Sequence, residues 1–177
     1  GFALLVSYLG QMNPQITPLM PVLVSPWLSI HVSLIMMSYA LLAFIMLNGI
    51  LALCLRKKES ENNVSGNDAI QDNRIEQLTL VSRLLLYPAT FFLGAGIFLG
   101  AVWANVSWGR YWAWDPKEVW ALITFLVYGV AFHSQSLRIF RKPLFFHIYM
   151  ILAFLTVLMT YFGVNYVLGG MHSYANA

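Results

Sequence analysis

The chain has 177 residues, 59% of them hydrophobic and only 10% charged, and its mean hydropathy is +0.69. Soluble domains carry about 25% charged residues, so the composition excludes an ordinary soluble domain and points to a membrane protein. The formal charge of +3 is no argument for nucleic acid, because basic residues in such a chain mostly record membrane topology.

The chain opens in mid-hydrophobic sequence at "GFALLVSYLG". It has neither the basic region nor the small-residue cleavage site of a signal peptide. Residues 1–26 are read as the end of a truncated earlier helix and a Pro-rich segment on the outer side. Residues 1–55 contain no Asp, Glu, Lys or Arg, and Pro14, Pro18, Pro21 and Pro26 interrupt their first half. The Pro-free part, 27–55, is long enough to span a bilayer, for which about 20 apolar residues suffice. "RKKESENNVSGNDAIQDNRIEQ" then predicts a solvated, mobile loop over 56–77.

A second span is expected over 78–106. Pro88 can kink it, and Gly94, Gly96 and Gly100 let another backbone approach closely. The outer loop 107–116 follows, then a third span over 117–136. Residues 137–142 form a short connection. Pro143 opens a fourth span, 143–168, at a position where proline fits a helix start, and 169–177 is a tail. The expected fold is an all-α, polytopic transmembrane helix bundle of four spans plus the end of an earlier helix. Eight of the ten basic residues fall in or beside 56–77 and 137–142. That side should be cytoplasmic, which places the 107–116 loop and the tail on the outer face.

Four of the six tryptophans lie in "WGRYWAWDPKEVWALITF", residues 108–125, and Trp103 lies just upstream. Asp115-Pro116-Lys117-Glu118 reads first as a helix start, with Asp as N-cap, Pro at N1 and Glu at N3 closing a capping box. A belt of interfacial aromatics accounts for one or two of the indoles. Five within so short a stretch suit a flat, amphipathic platform for a large planar ligand.

His31 and His172 both fall at the depth of this loop. Two imidazoles from different helices can ligate haem iron axially, whereas a lone interfacial histidine more often bonds a backbone carbonyl. His133 lies 15 residues after Glu118, about 22 Å along a helix. It belongs to the inner side and cannot be a ligand at the outer platform. His147, four residues into the last helix, reads as an interfacial histidine. The single cysteine, Cys54, excludes an internal disulfide, and the absence of C-x-x-C-H excludes a c-type cytochrome.

These residues carry a family resemblance. "AVWANVSWGRYWAWDPKEVWALITF" resembles the tryptophan-rich (WWD) signature of the cytochrome c assembly, haem-handling family. "FGVNYVLGGMHSY" and "SPWLSIHV" resemble segments of its CcsA/ResC branch. The resemblance covers about residues 15–177 and implies a role in system II cytochrome c biogenesis. Members carry haem across the membrane, hold it on the outer face and present it for covalent attachment to apocytochrome c.

Carried over by position, His31 and His172 match the two outer axial ligands of haem b, against Trp108, Trp112, Trp114 and Asp115. His133 matches one of two histidines of an inner haem site. The implied partners are a CcsB/ResB-type membrane protein, apocytochrome c, haem and the bilayer, with no nucleic acid. The implied location is a bacterial inner membrane, or a thylakoid membrane in a plastid. No residue identifies a general acid or base for a haem-lyase step, so synthase activity within a CcsA/CcsB-type complex stays open. Arg110 and Lys117 are candidate partners for the haem propionates. The rival readings are a b-type cytochrome electron-transfer subunit and a subunit that delivers haem to a chaperone.

Overall fold

The computed structural model describes residues 26–62 and 68–168, with backbone alone at 58–62, 68–71 and 134–135. The expectations for residues 1–25, for 63–67 and for the tail with His172 lie outside the described residues. Within them all regular structure is helical: α1 (Pro26–Asn62), α2 (Asp68–Trp108), α3 (Pro116–Val130) and α4 (Pro143–Leu158), with a non-helical loop over 109–115. Two short 3-10 turns, Ala131–Gln135 and Arg138–Arg141, join α3 to α4, and α4 continues as a π-helical segment, Met159–Leu168. Among the described residues three helices are long and apolar enough to cross a membrane: Pro26–Lys57, Asp72–Trp108 and Pro143–Leu168.

The contacts between helices set the topology. His31 meets Gly96, Ser38 meets Ala89 and Asn48 meets Ser82, so α1 and α2 run antiparallel in one register. Lys117 meets Asn165 and Thr124 meets Thr160, which makes α3 antiparallel to the π-helical segment. Leu42, Ile45, Leu86, Tyr128, Phe146 and Met150 fill the shared core. Many large apolar side chains face outward instead, among them Leu84, Phe91 and Phe98. A soluble fold would not tolerate so much exposed apolar surface, but a hydrocarbon solvent favours it.

The helices run further than the apolar pattern suggests. α1 continues through Asn62 and α2 begins at Asp68, so most of the polar stretch expected as a loop is helical. Its Arg, Lys, Glu and Gln residues are good helix formers, and each packed span supplies the nucleus that an isolated polar segment lacks. α3 is shorter than its expected span. Its 15 α-helical residues rise about 22 Å, and the 3-10 turn adds roughly 10 Å. His133 breaks the helical geometry there, at φ −83°, ψ 27°.

Candidate functional site

The tryptophan loop is held at both ends by local chemistry. Gly109 follows α2 at φ +73°, and its N–H donates to Asn105 O at 2.9 Å, the left-handed helix stop that glycine favours. At the other end Asp115 is extended (φ −61°, ψ 143°) and its carboxylate accepts from Lys117 N at 3.0 Å. Glu118 reaches back, and its Oε2 accepts from Asp115 N at 3.2 Å and Ala113 N at 2.8 Å. Pro116 takes the first helical position. Asp115 is buried, and both carboxylates tie the loop to α3. The capping box read from "DPKE" is therefore present.

The indoles do not share a plane. Trp103 and Trp108 pack edge to face at 4.9 Å and 72°, and Trp112 and Trp114 at 6.2 Å and 86°. The flat platform expected from the sequence is instead two perpendicular pairs, as the ring quadrupole favours. Trp103 is buried, whereas Trp114 is 75% exposed and sits at φ 58°, a left-handed conformation unusual for a bulky residue.

Beneath the loop, α1, α2, α3 and the π-helical segment enclose a cleft of about 210 Å³. His31, Trp103, Tyr111, Trp112 and Lys117 line it, with Tyr39 and Thr160 from the deeper side. His31 is seated with care. Its Nδ1 lies 2.7 Å from Gly96 O; a carbonyl only accepts, so Nδ1 carries the proton and Nε2 the lone pair. A Cβ on Gly100 would stand 2.7 Å from His31 Cε1 and 2.8 Å from Nδ1. A Cβ on Gly96 would stand 2.6 Å from Ile35. The two glycines thus make the groove that α1 and its imidazole occupy.

The structure brings His31 and Trp112 into the cleft and stacks Trp114 on the edge of Trp112. Trp108 lies behind Trp103, and Asp115 serves the helix start. His133 is elsewhere, exposed at the far end of α3 with Nδ1 3.2 Å from Gly129 O. Lys117 Nζ donates to Asn165 Oδ1 at 2.9 Å at the cleft wall. Tyr39, Thr160 and Tyr161 are cleft residues that the motif reading missed. The spacing of His31, Ile35 and Tyr39 on one helical face was a signal for the first of them. His147, expected at an interface, is fully buried with Nε2 2.9 Å from Thr79 Oγ1.

The family profile described as "Cytochrome C assembly protein" matches residues 1–172. The chain belongs to the cytochrome c assembly protein family. It is 41% identical to Protein NrfI of Wolinella succinogenes over 175 residues, which are 99% of this chain and 19% of that protein. It is 41% identical to the cytochrome c biogenesis protein CcsA of Chlamydomonas reinhardtii over 162 residues, 90% of this chain and 44% of that one. The CcsA protein of Solanum lycopersicum is 35% identical over 182 residues, 89% of this chain and 58% of its own. The chain thus spans between about a fifth and three fifths of the length of these relatives.

Proposed function

We propose that this chain serves cytochrome c biogenesis by holding haem in the cleft beneath the tryptophan loop, on the outer face, for attachment to apocytochrome c. One observation carries the reading. His31 is fixed by the Gly96 carbonyl and the Gly100 groove, so that the proton is on Nδ1 and Nε2 is the ligating nitrogen. Histidines that ligate metals are commonly oriented by such a bond to the other ring nitrogen. Trp112 and Tyr111 supply an apolar aromatic wall beside it. The cleft is smaller than the roughly 300–1,000 Å³ of sites that engulf a drug-sized ligand. The cleft would therefore enclose only part of a haem b, leaving the rest open to the incoming cytochrome.

His172 is the second axial ligand in this reading. The π-helical segment that precedes it ends beside the cleft, where Asn165 meets Lys117. Lys117 is the cation placed to receive a propionate. Bound haem would be held by the two imidazoles, and it would supply vinyl C=C bonds across which the apocytochrome c thiols add, sulfur to one carbon and hydrogen to the other. The chain's own residues orient the macrocycle and exclude other iron ligands. His133, at the opposite end of α3, serves haem arriving from the inner side. A CcsB/ResB-type protein in the same membrane is the proposed partner, and a bacterial inner membrane or a thylakoid membrane the proposed location. The electron-transfer alternative needs histidines paired at matching depth, but His147 is bonded to Thr79 and His133 is exposed.

Absorption spectroscopy of the intact protein tests the reading. His31→Ala and His172→Ala should each convert a six-coordinate bis-imidazole spectrum to a five-coordinate or water-ligated one, and added imidazole should restore it. Wild-type spectra and haem content in both variants would place the haem elsewhere.

A further inference from the structure

A second cavity lies at the opposite end of the bundle, about 25 Å from Gly100 along α2 as far as Arg83. It holds about 420 Å³ and is lined by Arg83, Arg141, Asn73, Gln77 and Thr79, with Glu76 as the one carboxylate among the described lining residues and Pro143 as a further wall. Arg83 is held stiffly. Its Nη2 donates to Phe140 O at 2.6 Å, its guanidinium lies 5.0 Å over the Phe146 ring, and its enclosed Nε has no hydrogen-bond partner among the described residues. Pro143 opens α4, whose N-terminus has no side-chain cap. Among the described lining residues two guanidiniums and a positive helix end stand against one carboxylate, which favours an anion with several acceptor oxygens.

A stripe of exposed apolar side chains starts at the rim. Leu80 lines the cavity, and Leu80, Leu84, Tyr87 and Phe91 are 58%, 61%, 64% and 69% exposed. Their spacing puts them on one face of α2, pointing away from the core. From Leu80 to Phe91 the stripe rises roughly 16 Å, about half of the ~30 Å hydrocarbon thickness. An anion socket joined to an apolar strip one leaflet long matches a phospholipid in both its parts.

We infer that the Arg83–Arg141 cavity binds the phosphodiester headgroup of an anionic phospholipid, with an acyl chain along Leu80, Leu84, Tyr87 and Phe91. The site is independent of the haem cleft. A free phosphate lacks the chain, and a zwitterionic headgroup brings its own cation against the arginines. Eight of the ten basic residues cluster at this end, where an anionic leaflet would face them.

The test titrates the intact, delipidated protein in a neutral detergent with phosphatidylglycerol, phosphatidylcholine or inorganic phosphate. Native mass spectrometry reads retained lipid, and thermal unfolding reads Tm. Phosphatidylglycerol should be retained and raise Tm, and the other two should do neither. Arg83 also braces the Phe140 carbonyl, so Arg141→Gln is the primary variant. It should weaken phosphatidylglycerol binding about tenfold or more, as expected for a lost charge-assisted bond. Arg138→Gln, exposed on the same turn but outside the cavity, should change nothing. Equal retention of phosphatidylcholine, an equal Tm shift from phosphate, or an equal loss in Arg138→Gln would overturn the inference.

Discussion

One methyl group tests how His31 is held. Gly100→Ala would put a carbon 2.7 Å from the imidazole, closer than real Cβ contacts run, so the ring must move off the Gly96 carbonyl. Overpacking of this kind costs about 1–3 kcal/mol, but loss of stability alone would not identify a seat for a ligand. The distinguishing signal is the ring itself. Nitrogen NMR of labelled histidine should find His31 protonated at Nδ1 in the haem-free wild type and lose that preference in Gly100→Ala. The haem spectrum of the variant should shift toward that of His31→Ala, with imidazole restoring it. An unchanged tautomer would refute the seat, and an unchanged spectrum with a changed tautomer would refute the haem reading alone. At Trp114 the backbone pays for its position. A non-glycine residue at φ 58° stores about 1–3 kcal/mol of strain, so Trp114→Gly should raise Tm. If the exposed indole covers haem, the same variant should release haem faster, as dissociation kinetics would record.

The helix start at Asp115 separates local from functional roles at the level of the element. Asn caps a helix about as well as Asp, so Asp115→Asn should keep both Tm and haem content, whereas Asp115→Ala should cost about 1 kcal/mol. Glu118→Ala should cost more, because Glu118 satisfies the N–H groups of both Ala113 and Asp115 and its removal frees the loop. Thermal unfolding of the three variants ranks them. This part of the fold was legible in the sequence because a capping box is written within four adjacent residues. A close approach at Gly94, Gly96 and Gly100 was legible too, but not its partners, which are Phe125 of α3 at the first and Ile35 and His31 of α1 at the other two. The perpendicular packing of the indoles was not, because ring angles depend on partners that sequence spacing leaves undefined. Nor was the burial of His147, which depends on Thr79 from a different helix. The polar ends of α1 and α2 misled for a physical reason: composition reports what a segment does alone, and these segments extend helices that packing has already nucleated.

For the whole molecule, the two cavities sit at opposite ends of α2, and their roles depend on which end faces the cytoplasm. The orientation proposed above rests on the basic residues, since lysine and arginine are retained on the cytoplasmic side of short loops. Arg110, exposed in the tryptophan loop, and Lys117 are the two exceptions among ten. The native Cys54 is exposed, so the labelling experiment needs a Cys54→Ser background. There, Arg110→Cys should react with a membrane-impermeant maleimide in intact cells. Ser65→Cys and Arg138→Cys should react only after the membrane is opened. Labelling of position 65 or 138 from outside would invert the bundle. Haem in the His31 cleft would then face the cytoplasm and could not be handed to a cytochrome maturing outside. The Arg83–Arg141 cavity would face the outer leaflet, away from the anionic surface that its charge fits. The orientation is thus a joint condition on both sites, and a labelling pattern with only position 110 accessible satisfies it for each.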